Sequence, residues 1–260
     1  MAAKSGAKRN QPARRWPTAL AGALIFLLIW QWVASFYPAF ILPSPGEVWT
    51  RFQEMAGGEN SLFKHILTTC AEALGGFLLA TACALPLCCL LARNPFLDRL
   101  ITPYVVAIQA VPIVAVAPLL VIWFGFGIAS KLFIAGLVAF FPVLTNGVIG
   151  LKEVDPKLKE VLTIMGATRR QIFWKLEIPA ALPVLFGGFK LGMTLSVIGA
   201  VVGEFSGAGQ GLGYLVNFAK GTFDTPLIFV ALFFLAAIGI GFYSGISLLE
   251  YLTMPWKRRQ

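Results

Sequence analysis

Six stretches of this chain are each long and apolar enough to cross a bilayer as a helix, and nothing else constrains the fold as tightly. They run over Thr18–Phe36, Ile66–Ala92, Ile101–Phe124, Leu132–Leu151, Ala180–Phe205 and Pro226–Leu249, against the ~20 apolar residues that a helical crossing needs. Hydrocarbon offers no water to a peptide group, so such segments must close their backbone hydrogen bonds internally. The fold class that follows is all-α: a polytopic membrane protein with about six transmembrane helices and a helix-turn-helix on one side. Only 13% of the 260 residues are charged, about half the share in a soluble domain, which argues against a soluble enzyme. The expected organisation is a basic N-terminus over 1–17, a membrane domain over 18–250 and a basic tail over 251–260.

The first run follows a basic stretch, as a signal peptide would. It lacks a small-residue cleavage site, and Trp30, Trp32 and Tyr37 suit the membrane interface, so it reads as a retained span. Lysine and arginine set the orientation. With the N-terminus inside, sixteen of the 21 basic residues fall on the cytoplasmic side: five up to Arg15, then Arg93 and Arg99, six between Lys152 and Lys175, and three in the tail. Arg51, Lys64, Lys131 and Lys220 fall outside, and Lys190 lies within the fifth span. That bias places both termini on the cytoplasmic side of the membrane. The net charge of +9 is accounted for by orientation and does not call for nucleic acid.

Between the fourth and fifth runs lies a charged amphipathic insert, Asp155–Pro179. Asp155-Pro156 supplies an N-cap and a proline at the first helical position. Leu158, Val161, Leu162 and Met165 then recur at helical spacing. Gly166 suits the left-handed residue that ends a helix. Thr168 caps a second helix with Ile172, Phe173 and Leu176 on one face, and Pro179 is expected to stop it. Spans on both sides hold this unit against the bilayer, out of reach of DNA despite Arg169 and Arg170. An apolar face with a basic edge fits docking to a soluble protein better than it fits a plain connector.

Glu160-Val161-Leu162, Gly166 and Leu176-x-Ile178-Pro179 resemble the EAA loop of ATP-binding-cassette importer permeases, Glu-Ala-Ala, three residues, Gly, nine residues, Ile-x-Leu-Pro. The spacing is identical, and the departures at 161, 162, 176 and 178 exchange one apolar residue for another. Leu42-Pro43-Ser44-Pro45, Gly203-Glu204-Phe205 and Gly211-Leu212-Gly213-Tyr214-Leu215 are similar to the subgroup for sulfonates, taurine, nitrate and thiamine precursors. The likeness covers about Leu42 to Leu249.

The resemblance implies a membrane subunit gripping an ATP-binding cassette ATPase through the insert, over 152–183. It also implies a second permease copy, forming a homodimer or heterodimer, and an extracytoplasmic substrate-binding protein. Glu160 would hold the loop, Gly166 would make its turn, and Ala167, Arg169 and Arg170 would meet the ATPase, with Leu176, Ile178 and Pro179 completing the motif. No cofactor is implied for this chain itself: it has no G-x-x-x-x-G-K-[ST] phosphate loop, so ATP and Mg would sit on the partner.

Ionisable residues within spans face a cavity or a partner. Glu72 and Glu204 are therefore candidates for the translocation pathway, and Gln210, in the glycine-rich outer segment after Glu204, is a candidate for its mouth; for either glutamate a buried interhelical hydrogen bond is an equal alternative. The outer halves of spans two and five lack lysine and arginine. That favours a neutral or cationic organic solute over sulfonate, taurine or nitrate. The Gly203-Glu204-Phe205 form also resembles permeases for vitamins and pyrimidine precursors, which implies a vitamin or heterocycle such as riboflavin or a thiamine or pyrimidine precursor. A secondary transporter or channel would need ion-coupling residues and repeat symmetry, which are not evident. Cys70, Cys83, Cys88 and Cys89 lack metal-ligand spacing, His65 is the single histidine, and no Ser/His/Asp set occurs. Neither a metal site nor catalysis is expected.

Overall fold

The computed structural model describes residues 15–57, 62–207 and 209–255, with only the backbone of 15–19. The basic residues before Arg15 and those of the tail, on which the orientation partly rests, lie outside the described residues. Among these residues, eleven α-helices follow in order: α1 Arg15–Ala34, α2 Pro45–Gly57, α3 Leu62–Arg93, α4 Pro95–Gln109, α5 Ile113–Phe124, α6 Ile128–Lys152, α7 Pro156–Ile164, α8 Arg169–Ile172, α9 Ile178–Phe205, α10 Leu212–Gly221 and α11 Thr225–Thr253. Among the described residues the fold is all-helical, as its apolar runs require.

Among the described residues, four helical stretches are long and apolar enough to cross a membrane: α3, α6, the continuous Arg169–Phe205 stretch that includes α9, and α11. The third apolar run departs from expectation. It does not form one helix but breaks at Ala110–Pro112 into α4 and α5, bent by 97°. Pro112 has no N–H to continue α4, and proline biases the residue before it away from helical backbone. The first run gives the shorter apolar stretch Leu20–Ala34 of α1. The part-exposed helix α2 is closed by a Ser44/Glu47 capping box: Ser44 N–H donates to Glu47 Oε2 (2.7 Å) and Glu47 N–H to Ser44 Oγ (3.3 Å).

The packed centre is α3, α6 and α9. In lipid, helices gain little by hiding apolar surface and associate through close packing, which small residues permit. A Cβ on Gly76 would stand 2.8 Å from the backbone nitrogen of Gly136, and one on Gly199 2.7 Å from Ala135 Cα. Gly188 and Gly192 serve the same end: a Cβ on either would meet the Pro142 or Ala139 carbonyl of α6 at 3.0 or 3.1 Å. Gly241 and Gly245, the other small pair, have nothing within 4 Å, so their face of α11 is uncovered in the single chain. Ala73, Ala84, Ile134, Ala139, Val143 and Ala200 fill the spaces between the three helices.

Candidate functional site

The insert between α6 and α9 is built largely as its residues dictate. Asp155 caps α7, accepting from Lys157 N–H at 2.8 Å, with Pro156 in the first turn. Gly166 takes φ +81° at the end of the helix, and Ala167 N–H reaches back to the Leu162 carbonyl at 3.0 Å. Thr168 and Gln171 form a reciprocal capping box that starts α8. This is the arrangement that satisfies the loose donors and acceptors of two short helices joined by a glycine turn.

Pro179 does not end the second helix. The chain passes from α8 through a π-helical turn, Phe173–Glu177, directly into α9, with Pro179 in the first turn of α9. There its missing N–H falls where the backbone ladder changes register, Ile178 N–H bonding to Phe173 O across the π-helical turn, and the fixed φ of proline suits a first helical turn. The second half of the insert is thus continuous with α9 rather than a separate loop.

The apolar face of α7 has no cover: Leu158, Val161, Ile164 and Met165 are exposed, Ile164 by 79%. Leu162 and Ala167 are half-buried; Glu160, Arg169 and Arg170 are exposed and form no ion pair among the described residues. Leu176, Ile178 and Pro179 are half-buried at the root of α9.

What ties the insert to the membrane helices is Glu177, a residue that the motif leaves unspecified. Its Oε1 pairs with Lys159 of α7 at 2.8 Å and its Oε2 faces Arg93, the last residue of α3, at 3.6 Å. The Arg93 guanidinium also lies 4.4 Å from the Phe173 ring centroid. At the same end, Lys152 of α6 pairs with Asp98 of α4 at 2.6 Å, which holds the Asp98 carboxyl below its ordinary range.

The three pathway candidates fall on the other side of the core. Glu72 and Glu204 are both 1% exposed. Glu72 Oε1 pairs with Lys131 Nζ at 2.7 Å. Lys131, one of the basic residues expected outside, lies in the first turn of α6 and is buried, 9% exposed; a buried carboxylate on α3 needs such a counter-charge.

Glu204 accepts from Thr69 Oγ1 at 2.6 Å and from Gly213 N–H. Thr69 Oγ1 in turn accepts from Leu212 N–H at 2.8 Å, and His65 Nδ1 from Gly211 N–H at 3.0 Å. The turn before α10 is therefore pinned to α3 and α9. Gly211, at φ +117°, is a glycine because a Cβ there would overlap the Glu204 carboxyl. Gln210 is exposed and shares a polar recess of about 610 Å³ with Thr68, Glu72 and Lys131. The structure brings Gln210 and Glu72 together there, while Glu204 faces inward beside them.

The chain is thus a bundle of apolar helices with one charged insert continuous with α9. The chain belongs to the family described as the binding-protein-dependent transport system inner membrane component, which matches residues 76–253. It is 46% identical over 246 residues to the riboflavin transport system permease protein RibX of Chloroflexus aurantiacus, covering 93% of this chain and 91% of that one. To the formylaminopyrimidine transport permease protein ThiX of Halalkalibacterium halodurans it is 35% identical, covering 91% and 94%. Among solved structures, the MetNI methionine ABC transporter in an inward-facing conformation aligns with a TM-score of 0.60 at 19% identity, over 72% of this chain and 95% of that one; that likeness is one of fold. The chain is an ABC transporter permease subunit for a small nutrient.

Proposed function

We propose that this permease imports a neutral heterocyclic nutrient, riboflavin or a close chemical relative, driven by ATP hydrolysis on a separate ATPase subunit docked on α7 and α8. The observation that carries the docking is the bare apolar face of α7, Leu158, Val161, Ile164 and Met165, beside the unpaired Arg169 and Arg170. A face of this kind is costly in water and suits a groove in a soluble partner. The lean to riboflavin is supported by 46% identity to RibX across nearly the whole chain.

Two permease copies enclose the pathway, with an extracytoplasmic binding protein delivering solute at the far side. Both termini and the insert face the cytoplasm, where the lysine and arginine excess lies. ATP and Mg belong to the ATPase subunits. When these close and part, they move α7 and α8. The π-helical turn and the Glu177 pairs carry that movement into α9 and α3, tilting the core helices between outward and inward openings.

The test is recovery of the tagged chain from membranes in mild detergent, with riboflavin uptake measured in parallel. Gly166→Val forces a β-branched residue into φ +81°, a left-handed conformation such residues rarely adopt. Loss of a P-loop ATPase from the recovered complex, together with loss of uptake, is the expected result. Retention of both would sink the docking assignment. Uptake that persists in vesicles without ATP would move the protein to the secondary transporters.

A further inference from the structure

The break between α4 and α5 is an unusual feature for a membrane-length apolar run. Ala110, Val111 and Pro112 are non-helical or turn backbone, and all three are exposed in the single chain. Non-helical backbone is tolerated at membrane depth only where it is buried in protein or lines a water-filled cavity. Here it lines a recess of about 470 Å³, whose far wall includes Phe141 and Pro142 of α6. That volume lies within the range of small-molecule sites. Interrupted helices that leave irregular backbone at a cavity are also the way membrane transporters build solute sites.

Gln109 lies at the rim, the last residue of α4. It is exposed, and its amide has no hydrogen-bond partner among the described residues. A bare carboxamide facing lipid is expensive, so its place is toward the recess. No charged side chain lines the recess. In a low-dielectric setting that composition disfavours an anion, which would arrive without a counter-charge. It suits a planar uncharged ring whose edge both donates and accepts, matching the two faces of a carboxamide, with Phe141 and the two prolines as apolar walls.

We infer that this recess is a subsite for the transported solute within the membrane, and that Gln109 reads the polar edge of an uncharged heterocycle there. The inference rests on the import role proposed above and adds to it the place and the chemistry of selection. It also separates this chain from permeases whose cargo is anionic, since nothing in the recess neutralises a sulfonate or bicarbonate.

The experiment uses the complete transporter, with its ATPase and binding protein, in proteoliposomes. Uptake of riboflavin is compared with that of N3-methylriboflavin, in which a methyl replaces the ring imide hydrogen. Loss of one or two hydrogen bonds of ~0.5–1.5 kcal/mol each corresponds to about a tenfold effect. The intact chain should prefer riboflavin, and Gln109→Leu should lower riboflavin uptake about tenfold and abolish the preference, with ATPase recovery unchanged. A merely structural role for Gln109 would lower both solutes alike. Unaltered rate and preference in Gln109→Leu would overturn the assignment.

A second measurement does not depend on the solute. Gln109→Cys, with the four native cysteines replaced, is treated with a membrane-impermeant maleimide applied to both faces. Labelling in the nucleotide-free or the ATP-trapped state supports a water-reached recess, and absence of labelling in both overturns it. Labelling in a transporter that moves no riboflavin would count against the vitamin and leave the recess standing.

Discussion

Replacing Lys131 with methionine keeps most of the side-chain volume and removes one charge, which isolates the worth of the buried pair. Glu72 is 1% exposed, its Oε1 relies on Lys131 at 2.7 Å, and its Oε2 already lacks a hydrogen-bond partner. The substitution therefore leaves a buried carboxyl without its counter-charge, beside Glu204. Breaking a buried pair from one side costs ~3–5 kcal/mol. At about 2–4 °C per kcal/mol for a chain of this size, the midpoint of unfolding in detergent should fall by roughly 6–20 °C. The double substitution Glu72→Gln with Lys131→Met removes both charges, and since attraction and desolvation nearly cancel in such pairs, it should recover most of that loss. The assay is thermal unfolding of all four combinations, read as a double-mutant cycle. A single variant as stable as the parent, or a double variant no better than the worse single one, would refute the account of Lys131 as the counter-charge that Glu72 requires.

Other positions test other links. Gly76→Val should drive α3 from α6, because the first added carbon already stands 2.8 Å from the Gly136 nitrogen, and yield in the membrane should collapse; Gly239→Ala, with nothing within 4 Å, should leave a detergent-purified single chain unaffected. Gly211→Ala sets a side chain at φ +117° and against the Glu204 carboxyl, so protease cleavage in the turn before α10 should rise several-fold, and an unchanged digestion pattern would count against the pinned turn. Glu177→Ala breaks pairs whose partners are partly exposed, Arg93 by 58%, so stability should change by less than about 1 kcal/mol. Uptake should nevertheless fall several-fold while the ATPase is still recovered, and full uptake would show that the insert is coupled to α3 and α9 by other contacts.

Much of this architecture is legible because local rules act locally. Apolar run length foretells α3, α6, α9 and α11, and Asp155-Pro156, Gly166 and Thr168 foretell the insert, since each cap is settled within four residues. Three features are not legible that way. The break in the third run needs the trajectory of the chain: Pro112 lies in the same apolar run as Pro103 and Pro118, each inside a helix, and only Pro112 marks a 97° turn. Pro179 reads as a stop because proline lacks an N–H, but it also satisfies a first turn, and the wider π-helical register before it decides between the two.

The third feature is charge, and it bears on the orientation itself. Counting lysines and arginines assumes that each faces water, but Lys131 meets a glutamate 59 residues earlier in the chain, a pairing that no periodicity reports. Removing Lys131 from the outside group strengthens the bias rather than weakening it, because fewer outside cations then oppose the sixteen on the other side. Glu177 shows the same limit from the opposite direction. It sits between Leu176 and Ile178, at a position that the motif leaves open, and its importance comes only from α3 ending within reach. A motif records what a partner must recognise. The contacts that join the recognised surface to the core depend on where distant helices end, and those are set by packing.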